Sequence, residues 1–332
     1  MSLPHPLTLA LRHLAPGRVV DGVASIPLPF TAEGRPDLDG VAELVQRTYA
    51  AGLTPALNLF AGSVDVLSPA ERADVLAIGG GVARGRRFLA GAVADADEPL
   101  ASSYATACDS IVRQGGTPVL VQCPALANLD EDEVADTYRQ ASAPFREVVA
   151  IEADPQFGGR VYSLDLFHRL LDVPSLAGLV HATFDRVAEW YRVDARDARR
   201  PEFRLFSGNE RAIDMFVYGS DYLLGAAGCA PEAFALRDHL WRDNDPHAIE
   251  VADVLQHLSG LLCRAPVQAS RHAAALWLHL RSLASGDGAH PRVPRRPEGD
   301  VVLLREAAER LDAIVLAHGG RRPRFAVAGQ GL

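Results

Sequence analysis

From about residue 20 to residue 240, short runs of apolar residues alternate with stretches whose apolar positions recur at helical spacing. The runs Val23–Pro27, Pro55–Phe60, Phe88–Val93, Pro118–Cys123, Glu147–Ile151, Ala177–His181, Phe203–Phe206 and Tyr222–Gly225 predict eight strands. Leu38–Ala51, Pro69–Ala83, Leu100–Gln114, Glu131–Ala141 and Ser163–Leu171 predict helices between them. Start signals support several of these. Ser68, Pro69 and Glu71 give an N-cap, a proline at the first helical position and a capping-box acid, and Asp130 opens an acid-rich first turn. Alternating strands and helices imply a parallel sheet, and eight such units close into a (β/α)8 TIM barrel of the α/β class. No G-x-G-x-x-G follows the first strand, no Walker loop is present, and Gly79–Gly81 falls within or after a helical stretch. An open nucleotide-binding sheet is therefore the weaker reading.

Beyond Pro246 the pattern is helical only, over Ala248–Cys263, Val267–Ala284 and Val301–Val315, with a polar, proline-rich connector at Gly286–Gly299. The expected organisation is an N-terminal extension (1–18), the barrel (19–240), a C-terminal helical appendix (241–318) and a loosely ordered tail (319–332).

Charge and composition narrow the partners. A net charge of −9 disfavours nucleic acid and anionic membranes, although arginines could still gather around a small anionic substrate. No run of 18 apolar residues exists, and the first residues do not read as a signal peptide, so a cytoplasmic protein is expected. Cys108, Cys123, Cys229 and Cys263 are scattered and read as free thiols. All 33 Lys and Arg residues are arginine. Without lysine, no ε-amino group is available as a nucleophile anywhere in the chain.

Several strings resemble the dihydrodipicolinate synthase / N-acetylneuraminate lyase family. Ala24–Leu53 is similar to its opening strand, loop and first helix; Leu67–Arg72 to the start of its second helix; Leu89–Asp95 to its third strand, with Gly91 in place. Pro174–Asp185 is similar to the segment carrying the family's Schiff-base lysine, Leu205–Glu210 to the strand after it, and Leu223–Gly228 to its eighth strand. The resemblance implies the barrel fold, a small-molecule ligand at the C-terminal ends of the strands and a homodimer or homotetramer. It also exposes what is missing. The family lysine falls on Val180, in Gly178–Leu179–Val180, and the catalytic tyrosine falls on Glu152, three residues before Pro155. Glu152 and Val180 keep the family's separation of 28 residues. The loop after strand two reads Leu59–Phe60–Ala61–Gly62–Ser63, in which only Gly62 is retained; Pro124–Ala125–Leu126 lacks the second tyrosine; and the expected arginine falls on Phe157. These groups act as a unit, so class I aldolase chemistry is not expected.

Among the remaining polar groups, strand alternation places Glu152 and Asp154 on one side of strand five. If that side faces the cavity, the two carboxylates could hold a divalent metal, share a proton as an acid/base pair or bind a cation. Otherwise Asp154 caps its turn and Glu152 pairs with an arginine. No third metal ligand is evident, and no cofactor is expected beyond that possible divalent ion. His181, next to Val180, should face the helix layer. Asn58, Gly62, Val180, Ser207, Gly208 and Asn209 are the expected substrate-binding positions, with turn chemistry an equal explanation of Gly208 and Asn209. The expected activity is of lyase type, on a small oxo- or hydroxy-acid. The alternatives are a non-catalytic binding or regulatory barrel and a carboxylate- or metal-dependent hydrolase or dehydratase.

Overall fold

The computed structural model describes residues 5–95 and 98–319. Eight strands follow one another around a closed barrel: β1 (Gly22–Ser25), β2 (Thr54–Leu57), β3 (Leu89–Val93), β4 (Thr117–Val121), β5 (Val148–Ile151), β6 (Leu176–His181), β7 (Arg204–Ser207) and β8 (Asp221–Leu224). The strands are short and almost wholly buried, as parallel strands covered on both faces must be, which explains their continuous apolar character. The expected (β/α)8 barrel with C-terminal helices is what forms. The tail beyond Gly319 and the first four residues of the N-terminal extension lie outside the described residues.

Two compact units make up the chain. The first comprises Leu89–Leu223 with the segment ending at Pro16, and the second comprises Gly17–Phe88 with the chain from Leu224 onward.

In the first unit, β3 and β4 pair without interruption from Leu89↔Thr117 to Val93↔Val121. Between β5 and β6 the register shifts: Val148 pairs with Leu176 but Val149 with Gly178, so Ala177 is an extra residue in β6. Above this bulge Ile151, Val180 and Phe206 share one level, and His181 pairs with Ser207 on the next. The Glu152 N–H donates to the Val180 carbonyl at 3.2 Å, which extends the ladder by one residue. The helix Arg186–Arg199 is capped by Asp185, whose carboxylate accepts from the N–H groups of Val187 and Ala188. The helix Pro6–Arg12 ends at His13, which meets Asp194 and Asp197.

In the second unit β1 pairs with β2 from Val23↔Thr54 to Ser25↔Ala56. The helices Leu38–Ala51 and Pro69–Ala83 form over the ranges the periodicity predicts, the latter with its Ser68–Glu71 capping box complete. Gly228 is required by packing, because a Cβ there would lie 2.2 Å from the Ser25 carbonyl oxygen. Arg47 holds Glu232 through Nε–Oε1 (2.6 Å) and Nη2–Oε2 (2.7 Å). Three helices, His247–Leu262, Ser270–Leu280 and Asp300–Ala317, complete the unit. The connector at 286–299 is anchored rather than merely polar. Arg296 is buried and donates from Nη2 to the carbonyls of Leu262 (2.9 Å) and Arg264 (2.7 Å), satisfying the C-terminal end of the helix His247–Leu262.

Candidate functional site

The ends of β5 and β6 and the helix Arg186–Arg199, all in the first unit, carry a concentration of buried ionisable groups. Glu152, His181 and Glu189 are 0% exposed and Arg192 is 1% exposed. Arg192, on the helix Arg186–Arg199, grips Glu152 with both arms, Nη1–Oε1 at 2.5 Å and Nη2–Oε2 at 2.9 Å. It also donates from Nη2 to the Tyr162 carbonyl and from Nη1 to His181 Nδ1. The Tyr162 N–H adds a bond to Glu152 Oε2 at 2.9 Å. Burial alone would push the Glu152 carboxyl upward, but Arg192 and His181 outweigh it and hold the group down at about 2. His181 Nε2 lies 3.0 Å from the Asp185 carbonyl oxygen and 3.8 Å from Glu189 Oε2. Glu189 receives hydrogen bonds from Ser207 Oγ (3.1 Å) and Ser220 Oγ (2.7 Å).

Register explains this arrangement. Residues at one level of adjacent parallel strands point the same way, and successive residues alternate. Glu152, His181 and Ser207 share a level, and their partners Arg192 and Glu189 sit on the outer helix, so this level faces the helix layer. Ile151, Val180 and Phe206, one level below, point toward the barrel axis. His181 therefore lies where alternation predicts. Glu152 does not turn inward; of the two arrangements the sequence left open, the pairing with an arginine is the one that forms. The Ala177 bulge pairs Val180 with Ile151, so the residue 28 positions before Val180 lies one level above and on the opposite face.

Asp154 is partly exposed where Glu152 is buried. It begins the turn Pro155–Phe157, its carbonyl accepting from the Phe157 N–H at 2.8 Å. Val180 is fully buried, and a Cβ on Gly208 would lie 3.0 Å from its Cγ1, so Gly208 provides clearance at this position. Ser207 is committed to Glu189. Asn209 is 1% exposed; its Oδ1 accepts from the Arg211 N–H, while its buried Nδ2 finds no partner. In the second unit, Asn58 adopts a left-handed conformation (φ 51°) and donates from Nδ2 to the Arg72 carbonyl, leaving its buried Oδ1 unsatisfied. Gly62 closes the turn Phe60–Gly62, and its Cβ position is 3.2 Å from the Ile26 carbonyl oxygen. Among the described residues, no three His, Cys, Asp or Glu side chains gather closely enough to hold a metal ion.

Sequence reasoning missed Arg192 and Glu189. The available signal was the helix stripe at Glu189, Arg192, Val193 and Arg196, where charged residues occupy the face that packs inward.

No family model matches the chain, and no curated protein matches it either. Solved structures do. A prophage protein of the dihydrodipicolinic acid synthase family from E. coli K12, solved with pyruvate, superposes with a TM-score of 0.78 at 17% identity, covering 88% of this chain and 98% of that one. Dihydrodipicolinate synthase from Thermotoga maritima gives 0.74 at 17% identity, with 89% and 99% covered. A catalytic-lysine mutant of the sialic acid aldolase from Ruminococcus gnavus gives 0.73 at 17% identity, with 90% and 98% covered. The structural neighbours are members of the dihydrodipicolinate synthase / N-acetylneuraminate lyase family, and the chain shares their fold.

Proposed function

We propose that the protein is a small-molecule-binding barrel of the synthase/lyase fold that works without an imine. The observation that carries this reading is Val180: a fully buried aliphatic side chain stands on β6 where the resemblance puts the nucleophilic amine, in a chain with no lysine. Glu152, the group best placed by sequence to act as a base, is an ionised carboxylate neutralised by Arg192, so its basicity is low and both its oxygens are engaged. This weighs against a lyase, hydrolase or dehydratase built on Glu152, and against Glu152 as a metal ligand. Asn209 Nδ2, in the first unit, is a buried donor without a partner and suits a ligand recognised by a neutral hydrogen bond. The oligomeric habit implied by the resemblance extends the proposal to a homodimer or homotetramer, which light scattering on the purified protein measures directly.

The test is trapping. Pyruvate with borohydride, followed by peptide mass mapping, should add no mass to any internal peptide. A panel of oxo-acids, hydroxy-acids and sugar acids should contain compounds that raise the melting temperature but are recovered unchanged. An internal covalent adduct, or carbon–carbon cleavage of any panel member, overturns the proposal.

A further inference from the structure

The second unit holds a cavity of about 310 Å3 at the N-terminal ends of β1 and β2, walled on its other side by the helix Pro231–Arg242. Liquid water occupies about 30 Å3 per molecule, so there is room for about ten waters, the bulk of a pentose or hexose. Asp21, Asp238 and Arg242 line the space, and each is matched inside the protein. Arg87 Nη1 reaches both oxygens of Asp21, at 2.9 and 2.8 Å. Arg237, 0% exposed, donates to Asp238 Oδ1 from Nε (2.9 Å) and Nη2 (2.6 Å). Arg242 Nε donates to Asp243 Oδ1 at 3.2 Å, and His239 lies beside this last pair, with Nε2 3.4 Å from Asp243 Oδ2. Three carboxylates thus balance three guanidiniums around the cavity, which is polar without a surplus of either sign. A ligand with net charge would lose hydration there and find no unmatched counter-charge. A hydroxyl group meets no such difficulty. It donates to an ion-paired carboxylate and accepts from a guanidinium, in hydrogen bonds strengthened by the charge of the wall. Val20, Leu53 and Ala235 supply apolar surface among these polar groups. Hydroxyls interleaved with C–H faces are what a sugar or polyol presents.

We propose that this cavity is a separate binding site for a neutral polyhydroxy compound, a sugar or polyol of pentose to hexose size. The Asp238 side chain is 13% exposed and that of Arg242 49%, so the carboxylate receives the ligand's inner hydroxyls and the guanidinium stands at the entrance. Barrels of this fold do their chemistry at the C-terminal ends of the strands. A pocket at the N-terminal ends holds its ligand without transforming it. The proposal is independent of the imine argument, because Val180 belongs to the other unit and no residue of this cavity does.

The experiment uses the full chain. Polyols raise melting temperatures by exclusion from protein surfaces, so binding is read by saturation-transfer difference NMR instead. Measurements at about pH 8, above the ordinary histidine range, keep the charge balance free of imidazolium. The neutral probes are ribose, glucose and sorbitol; gluconate and N-methylglucamine are charged counterparts of sorbitol with the same six-carbon chain. At least one neutral probe should give a saturable signal at millimolar concentration, and both charged counterparts should bind about tenfold more weakly than sorbitol or not at all. Ala235→Phe fills the cavity without touching an ion pair and should abolish the signal. Arg242→Gln, at the entrance, should weaken binding about tenfold through the lost charge-assisted bond. If Ala235→Phe does not fold, Arg242→Gln decides. The proposal is overturned if no neutral probe saturates, if a charged counterpart binds more tightly than sorbitol, or if the signal is unchanged in the folded variants.

Discussion

Arg192 joins the continuation of β5, the end of β6 and the Tyr162 backbone through one guanidinium, and no lysine could reproduce its planar two-armed grip on Glu152. Removing one partner of such a pair strands the other charge in a dry interior. Arg192→Leu should therefore lower the unfolding free energy by about 3–5 kcal/mol in urea titrations. The double variant Glu152→Leu with Arg192→Leu should recover most of that loss, because the cost lies in the orphaned charge rather than in the pair. A double variant as unstable as the sum of its single variants would show that shape, not charge, holds this corner. Val180 is the residue whose character was most legible in the sequence, since its identity alone decides whether an amine is present. The orientation of Glu152 was not legible. Alternation was counted correctly along each strand, but Ala177 inserts a residue between β5 and β6, and an apolar run carries no mark of where a bulge falls.

The helix Arg186–Arg199 is the element on which the buried cluster depends, because it supplies both Arg192 and Glu189. Its first turn is fixed by Asp185, whose Oδ1 accepts from Val187 N (2.9 Å) and Ala188 N (3.1 Å). Asp185→Ala should cost about 1 kcal/mol of stability through the lost cap. Hydrogen exchange should quicken most in the first turn of this helix and leave Leu38–Ala51 unchanged. Equal quickening in both helices would mean that the cap is not a local determinant. Elements of this kind were legible wherever the signal was local. The Ser68–Glu71 capping box forms, Asp130 opens its acid-rich first turn as expected, and the eight strands arise from the apolar runs that predicted them. Interactions across sequence distance were not legible. Glu152 and Arg192 are 40 residues apart, and Arg296 ends a helix more than thirty residues before it, through a segment that reads as solvated connector.

At the scale of the molecule, the absence of lysine simplifies the response to pH. Arginines stay charged throughout the accessible range, so changes in stability must come from carboxyls, histidines, thiols and phenols. Burial pushes Tyr104, Tyr138 and Tyr162 upward, and the Cys108 thiol to about 12. For groups raised on folding, stability is complete below the unfolded value and is lost as pH rises, so their cost begins where free thiols and phenols titrate, near pH 8.5 and about 10. Glu152 has the opposite sign. Its folded value of about 2 lies below that of a free glutamate, so its contribution is complete above about pH 4.3 and disappears as pH falls toward 2. The predicted acid loss from this one residue is on the order of 3 kcal/mol, from roughly two units of displacement at about 1.4 kcal/mol each. Chemical denaturation at a series of pH values should find a steep acid limb in the wild type. In Glu152→Gln the limb should be shallower, with lower stability at neutral pH, where Arg192 has lost its counter-charge. If the two acid limbs run parallel, other carboxylates drive acid unfolding and the Glu152–Arg192 pair is not its principal trigger.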